Sequence, residues 1–100
     1  MFPTIEKDGK ITICLEGEVD LAVSPRTRRQ ILDILYTGQG LTVHLANVDY
    51  IDSSGIACLV EAYQYARKHD IAFELEAVNQ AVMRVLKLSK LDSVLPIRQT

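Results

Sequence analysis

Hydrophobic and polar positions alternate from Lys10 to Val19. Ile11, Ile13, Leu15 and Gly17 fall on one side, and Thr12, Cys14 and Glu16 on the other. A period of two predicts a β-strand. A shorter extended segment, Thr4 to Lys7, precedes it, and Asp8-Gly9 between the two is a hairpin turn signal. The period then changes. Ser24-Pro25 predicts a helix start, with the serine accepting from the first free amides and the proline, at the first helical position, losing no hydrogen bond. Arg28, Ile31, Leu32 and Leu35 recur at helical spacing, with Ile34 completing the stripe, and Gly38 or Gly40 is the expected stop. Leu41 to Val48 is a short apolar run whose length and branching favour a central strand. Ile56, Leu59, Val60 and Tyr63 form a second helical stripe ending near Lys68-His69. Ala72, Phe73, Leu75 and Ala77 suggest another strand. Asn79 is placed to cap a third helix with a stripe at Val82, Val85, Leu86 and Ser89. Val94 to Ile97 reads as a short last strand weakened by Pro96.

The order β-β-α-β-α-β-α predicts an α/β fold. The expected sheet is mixed, of four to five strands, with helices packed mainly on one face. The strand from Leu41 should pair in parallel with the one before it through a right-handed crossover. No linker, repeat or low-complexity stretch divides the chain, so one domain over residues 1–100 is expected.

Composition narrows the function classes. The chain is 48% hydrophobic and 24% charged, with a net charge of −2, as in an ordinary globular domain. That balance gives no reason to expect a nucleic acid or an anionic membrane as the main partner. No apolar run approaches the ~18 residues of a membrane span. The first residues have no basic and then apolar signal-peptide pattern, and a cytoplasmic protein is expected. Cys14 and Cys58 lie in apolar segments without a CxxC or clustered histidines, which reads as buried free thiols.

Candidate chemistry concentrates in Val48-Asp49-Tyr50-Ile51-Asp52-Ser53-Ser54-Gly55-Ile56. This stretch joins the central strand to the second helix, at the strand's carboxyl end, where open α/β sheets place their sites. Capping alone would account for it: Asp52 or Ser53 would satisfy the first helical amides, and Gly55 would let the backbone turn. A functional reading adds an exposed serine open to modification. A phosphate there would gain from the helix dipole and the free amides and would change the surface rather than the fold.

The stretch resembles the signature of the STAS family, in which a carboxylate, two hydroxyl residues and a glycine open the second helix. Gly17-Glu18-Val19-Asp20 is similar to the sequence that ends that family's second strand. Ala77-Val78-Asn79, with Val82, Leu86 and Leu91, is similar to its third helix and exit. The resemblance runs over nearly the whole chain. It implies a STAS-type sandwich and an anti-sigma factor antagonist, a protein that performs no chemistry and needs no cofactor. In such proteins the second hydroxyl of the motif is phosphorylated by a serine kinase that is also the anti-sigma factor, and a phosphatase resets it. Carried across, that hydroxyl is Ser54. Ser53 would be its neighbour and the helix cap, Asp52 would shape the turn, and Gly55 would leave room for the kinase. Asp20 would lie near the same partner-binding surface. The resemblance also admits a STAS subunit that docks on the ATPase of a lipid-transporting ABC complex. That group typically carries threonine where this chain has Ser53-Ser54. A third member type, the tail of an anion transporter, would require a membrane domain.

Other readings were weighed on the residues themselves. Ser54 as a catalytic nucleophile needs a base, and the chain has two histidines, His44 and His69. His44 belongs to the central strand, and His69 falls at the far end of the helix that Ser54 begins, about 20 Å away. Asp49 and Asp52 as metal ligands lack a third partner. Arg26, Arg28 and Arg29 cluster at a helix start, where cations gain nothing from the dipole; the cluster is a solvated face or a contact for an acidic partner surface. Tyr63 is expected in the buried stripe and Tyr65 outside it, with Glu61 and Lys68.

Overall fold

In the computed structural model, which describes residues 1–98, the elements follow the predicted order. They are β1 (Thr4–Lys7), β2 (Lys10–Val19), α1 (Ser24–Tyr36), β3 (Gly40–Ile51), α2 (Ser53–Lys68), β4 (Phe73–Glu76) and α3 (Gln80–Leu88). The strands form one sheet in the order β1-β2-β3-β4. The β1–β2 hairpin is antiparallel, and β2–β3 and β3–β4 are parallel. Asp8 and Gly9 both take positive φ, 54° and 79°, as the tightest hairpin turns require.

Register explains which face is covered. Ile13, Val43 and Leu75 stand side by side across β2, β3 and β4, fully buried. They share one cluster with Ile31 and Leu35 of α1, Leu59 and Ala62 of α2, and Val82 and Leu86 of α3. The other face of the same strands carries Cys14, His44 and Glu76 in a row, with Thr12, Thr42 and Glu74 beside them. His44 Nδ1 lies 2.8 Å from Glu76 Oε2 there.

Several expectations are corrected. The central strand runs to Ile51, so only Asp52 separates it from α2. Ser24 does not cap α1: the cap position is Val23, without a side-chain bond, while Ser24 is already helical. The buried stripe of α1 uses Thr27, not Arg28, which is exposed. Tyr65 is half-buried, edge-on to Tyr36 at 5.3 Å and stacked on His69 at 4.1 Å. Cys14 is half-buried, whereas Cys58 is buried; both are free thiols. The last strand reduces to a single parallel bridge, Leu75 to Ile97. Pro96 does not prevent it, because its carbonyl accepts from Leu75 N at 2.8 Å.

The end of β2 is irregular. Its register with β3 shifts between Cys14 and Glu16 and again between Gly17 and Glu18, and Gly17 takes φ 73°. Such bulges bend and twist a strand. The segment from Asp20 to Ser24 follows directly and lies against the start of α2.

Candidate functional site

Asp52 organises the site. Its backbone is extended and its side chain caps α2. Oδ1 accepts from Ser54 N at 2.9 Å, Gly55 N at 3.2 Å and Ser54 Oγ at 2.5 Å. Oδ2 accepts from Leu21 N at 3.2 Å, which ties the β2–α1 connection to α2. The cap is therefore Asp52 and not Ser53, which is exposed as the first helical residue. The Ser54 hydroxyl foremost, with the amides of Gly55, Ser54 and Leu21, holds the Asp52 carboxyl below the ordinary carboxylate value, against the opposing effect of desolvation.

Ser54 is half-buried and held from two sides. Its Oγ donates to Asp52 and stands 2.8 Å from Ser24 Oγ. Ser24 Oγ is also 2.8 Å from the Asp20 carbonyl, which already accepts the amides of Val23 and Ser24. Ser24 has one hydroxyl proton, so it serves one of these two acceptors at a time. When it turns to Ser54, the Ser54 oxygen accepts from Ser24 and donates to Asp52.

Asp20 lies at the end of β2, beside this cluster, but its carboxylate accepts from Ala22 N at 3.1 Å and does not touch Ser54. Gly55 faces inward. A Cβ there would meet Ile51 Cγ1 and Val19 O at 2.7 Å each, closer than atoms approach. The glycine lets α2 sit tightly on β2 and β3; it neither makes a tight turn nor opens space for a partner. Asp52 also fills the amide positions that a phosphate on Ser54 was expected to use.

Ser54 opens onto a groove of about 330 Å³ between α1 and α2, lined by Leu21, Ser24, Arg28, Ala57, Cys58 and Glu61. Leu21 at its rim is 72% exposed, far more than its size favours, and Tyr50 at the end of β3 is 51% exposed. Arg28 reaches across the groove to Glu61 with two hydrogen bonds, at 2.7 and 2.6 Å. Burial raises the Cys58 thiol above its ordinary value, so this groove cysteine is a poor nucleophile. Sequence reasoning missed Leu21 and Ser24 as members of the site. A large apolar residue in a connection, outside either stripe, was the available signal for Leu21.

The two histidines weighed as a base for Ser54 lie elsewhere. His44 pairs with Glu76 on the open sheet face, and His69 terminates α2, about 22 Å along the helix from Ser54. Among the described residues no group of His, Cys, Asp and Glu is arranged to hold a metal ion. No helix among them is long and apolar enough to cross a membrane.

The chain thus combines a mixed four-stranded sheet, helices on one face and a hydroxyl held at the start of the second helix. The chain belongs to the STAS family: the STAS domain model matches residues 2–100. It is 23% identical over 92 residues to an anti-sigma-B factor antagonist of Bacillus subtilis, covering 92% of this chain and 84% of that protein. The crystal structure of an anti-sigma factor antagonist from Mycobacterium paratuberculosis superimposes with a TM-score of 0.89 at 24% identity, over 100% of this chain and 86% of that one. The Bacillus cell fate determinant SpoIIAA in its phosphorylated form gives 0.76 at 17% identity, over 99% and 92%.

Proposed function

We propose that this protein is a cytoplasmic anti-sigma factor antagonist that works by partner switching. Unphosphorylated, it binds an anti-sigma serine kinase through the surface formed by Asp20, Asp52, Ser53 and Ser54, with Gly55 packed beneath it, and so frees a sigma factor. Phosphorylated on Ser54 it lets go, and a serine phosphatase resets it. The protein is a substrate of the kinase and does no chemistry of its own.

The observation that carries this reading is the position of the Ser54 hydroxyl. It is anchored by Asp52 and Ser24 at the end of a groove whose rim bears the exposed Leu21. Leu21 continues the apolar lining supplied by Pro25, Ala57 and Cys58, and a contiguous apolar surface with a polar rim is what a docking partner covers. A phosphate at the groove's end adds about −1.5 to −2 charges beside the ionised Asp52, so a partner would have to desolvate a dense negative site. The named antagonists among the relatives support the same reading, and one of them is known in a phosphorylated form. No feature of this chain favours the ABC-ATPase partner.

The test is to incubate the wild-type protein and Ser54→Ala with ATP and an extract of the source cells, then map phosphate by mass spectrometry. Phosphate on Ser54, absent from the variant, is expected. Phosphate on Ser53 alone, or none, would overturn the assignment.

A further inference from the structure

We infer that Arg28 is the built-in receptor for a phosphate on Ser54, and that phosphorylation transfers Arg28 from Glu61 to the phosphate. The inference rests on Ser54 being the modified residue.

Three observations lead to it. First, the amides of Ser54 itself, of Gly55 and of the neighbouring Leu21 are already occupied. Asp52 takes Ser54 N, Gly55 N and Leu21 N, so a phosphate added to Ser54 cannot use them while the cap is intact. Second, phosphorylation replaces the Ser54 hydroxyl proton, which Asp52 now accepts at 2.5 Å, with an anionic group. Asp52 loses its donor and gains a like-charged neighbour. The phosphate must turn away from Asp52, and the groove is the open direction. Third, the cation that lines that groove is Arg28, with Glu61 as its partner across the groove. Ser24 touches Ser54 directly, and Arg28 is one turn further along the same face of α1.

The exchange is favourable on charge. The Arg28 and Glu61 side chains are 53% and 43% exposed, so their ion pair is screened and weak. A phosphate dianion offers a guanidinium twice the charge and the same forked geometry. After the exchange Glu61 is an unpaired carboxylate on the groove wall. The phosphorylated groove therefore differs from the free one at both ends, near Ser54 and a turn or two along α2. A partner would sense the modification over a wider area than the phosphate covers.

The experiment uses the full chain with phosphoserine installed at position 54 by genetic encoding, so it does not depend on any cellular kinase. The second ionisation of the phosphate, near pH 6 in a free phosphoserine, is followed by phosphorus NMR. Arg28→Ala should raise that pKa by a few tenths to about one unit relative to the otherwise wild-type phosphoprotein, because a neighbouring cation favours the dianion. Glu61→Gln should lower it, by freeing Arg28 from its competitor. In the double variant the Glu61→Gln effect should largely vanish. Equal titrations for wild type and Arg28→Ala would overturn the inference. So would a Glu61→Gln shift that persists in full without Arg28, which would reflect simple repulsion. Both side chains are exposed, and a thermal melt confirms that each variant is folded. Absence of Ser54 phosphate in cell extracts would instead defeat the functional reading and leave this titration unaffected.

Discussion

Helices α2 and α3 begin alike, with different consequences. Each is opened by an extended residue whose side chain accepts from the new helix: Asp52 from Ser54 N and Gly55 N, Asn79 from Val82 N. Each side chain also fastens the helix to something distant. Asn79 carries donors as well as an acceptor, and its Nδ2 donates to Val48 O at 2.7 Å and Ala46 O at 3.3 Å. It takes over where β4 stops pairing with β3, satisfying carbonyls that would otherwise lie bare. Asp52 can only accept, so it collects donors, including the Ser54 hydroxyl. The neutral cap closes the fold. The charged cap fixes a hydroxyl at the surface and places a negative charge beside it.

The third helical position sharpens the contrast. In α3 it is Val82, fully buried; in α2 it is Gly55, where even a methyl group does not fit. Alanine at both positions should fail for opposite reasons. Val82→Ala leaves a hole and should cost about 2–3 kcal/mol. That is a fall of about 10–20 °C in melting temperature for a domain of this size. Asn79→Ala comes next, at about 2 kcal/mol, since it removes a cap and strands the Val48 carbonyl. Gly55→Ala forces α2 off β2; overpacking of about 1–3 kcal/mol is offset by about 1 kcal/mol from alanine's better helix propensity, leaving a loss of up to about 2 kcal/mol. Denaturant titration of the three variants checks the order. A Gly55→Ala protein more stable than wild type would mean that α2 is not held tightly against Val19.

Asp52→Asn should be the mildest for stability near neutral pH, at about 1 kcal/mol: asparagine keeps the cap, but its NH2 must face one of the amides that the two carboxylate oxygens accept. Its signature is in pH dependence. The folded-state pKa of Asp52 lies below its ordinary value of 3.8, so the carboxylate's contribution is fully present above that value and is lost as pH falls through the lower, folded one. Wild type and Asp52→Asn should therefore show a constant stability difference above about pH 5 and converge in stronger acid. A difference that stays constant down to pH 2 would show that the Ser54 hydroxyl and amide bonds do not favour the charged form.

How much of this was legible in the sequence follows from distance along the chain. The Asp-Gly hairpin, the alternation of β2, the Asn79 cap and the two histidines far from Ser54 all rest on neighbours within a few residues, and all were readable. The α2 cap was narrowed to Asp52 or Ser53 but not decided, because both residue types cap well and the strand's extension to Ile51 was not apparent. The rest depends on residues about 30 or more apart. Ser24 was read as a cap because a serine before proline at a helix start usually is one, yet its hydroxyl stands between the Asp20 carbonyl and the Ser54 hydroxyl, 30 residues on. Arg28 was assigned to the edge of a buried stripe, and its partner Glu61 is 33 residues away. Gly55 read as a turn residue or as space for a partner because, beside Ile51 nearby in sequence, the backbone that excludes a side chain is that of Val19, in another strand.

The most direct test of the switch compares capture from a lysate of the source cells by two baits, the unmodified protein and the protein carrying phosphoserine at position 54. The account predicts a serine kinase of anti-sigma type retained by the first and absent from the second, with both baits melting at closely similar temperatures. Equal capture of the same partner by both, or an ABC-transporter ATPase held regardless of the phosphate, would contradict it.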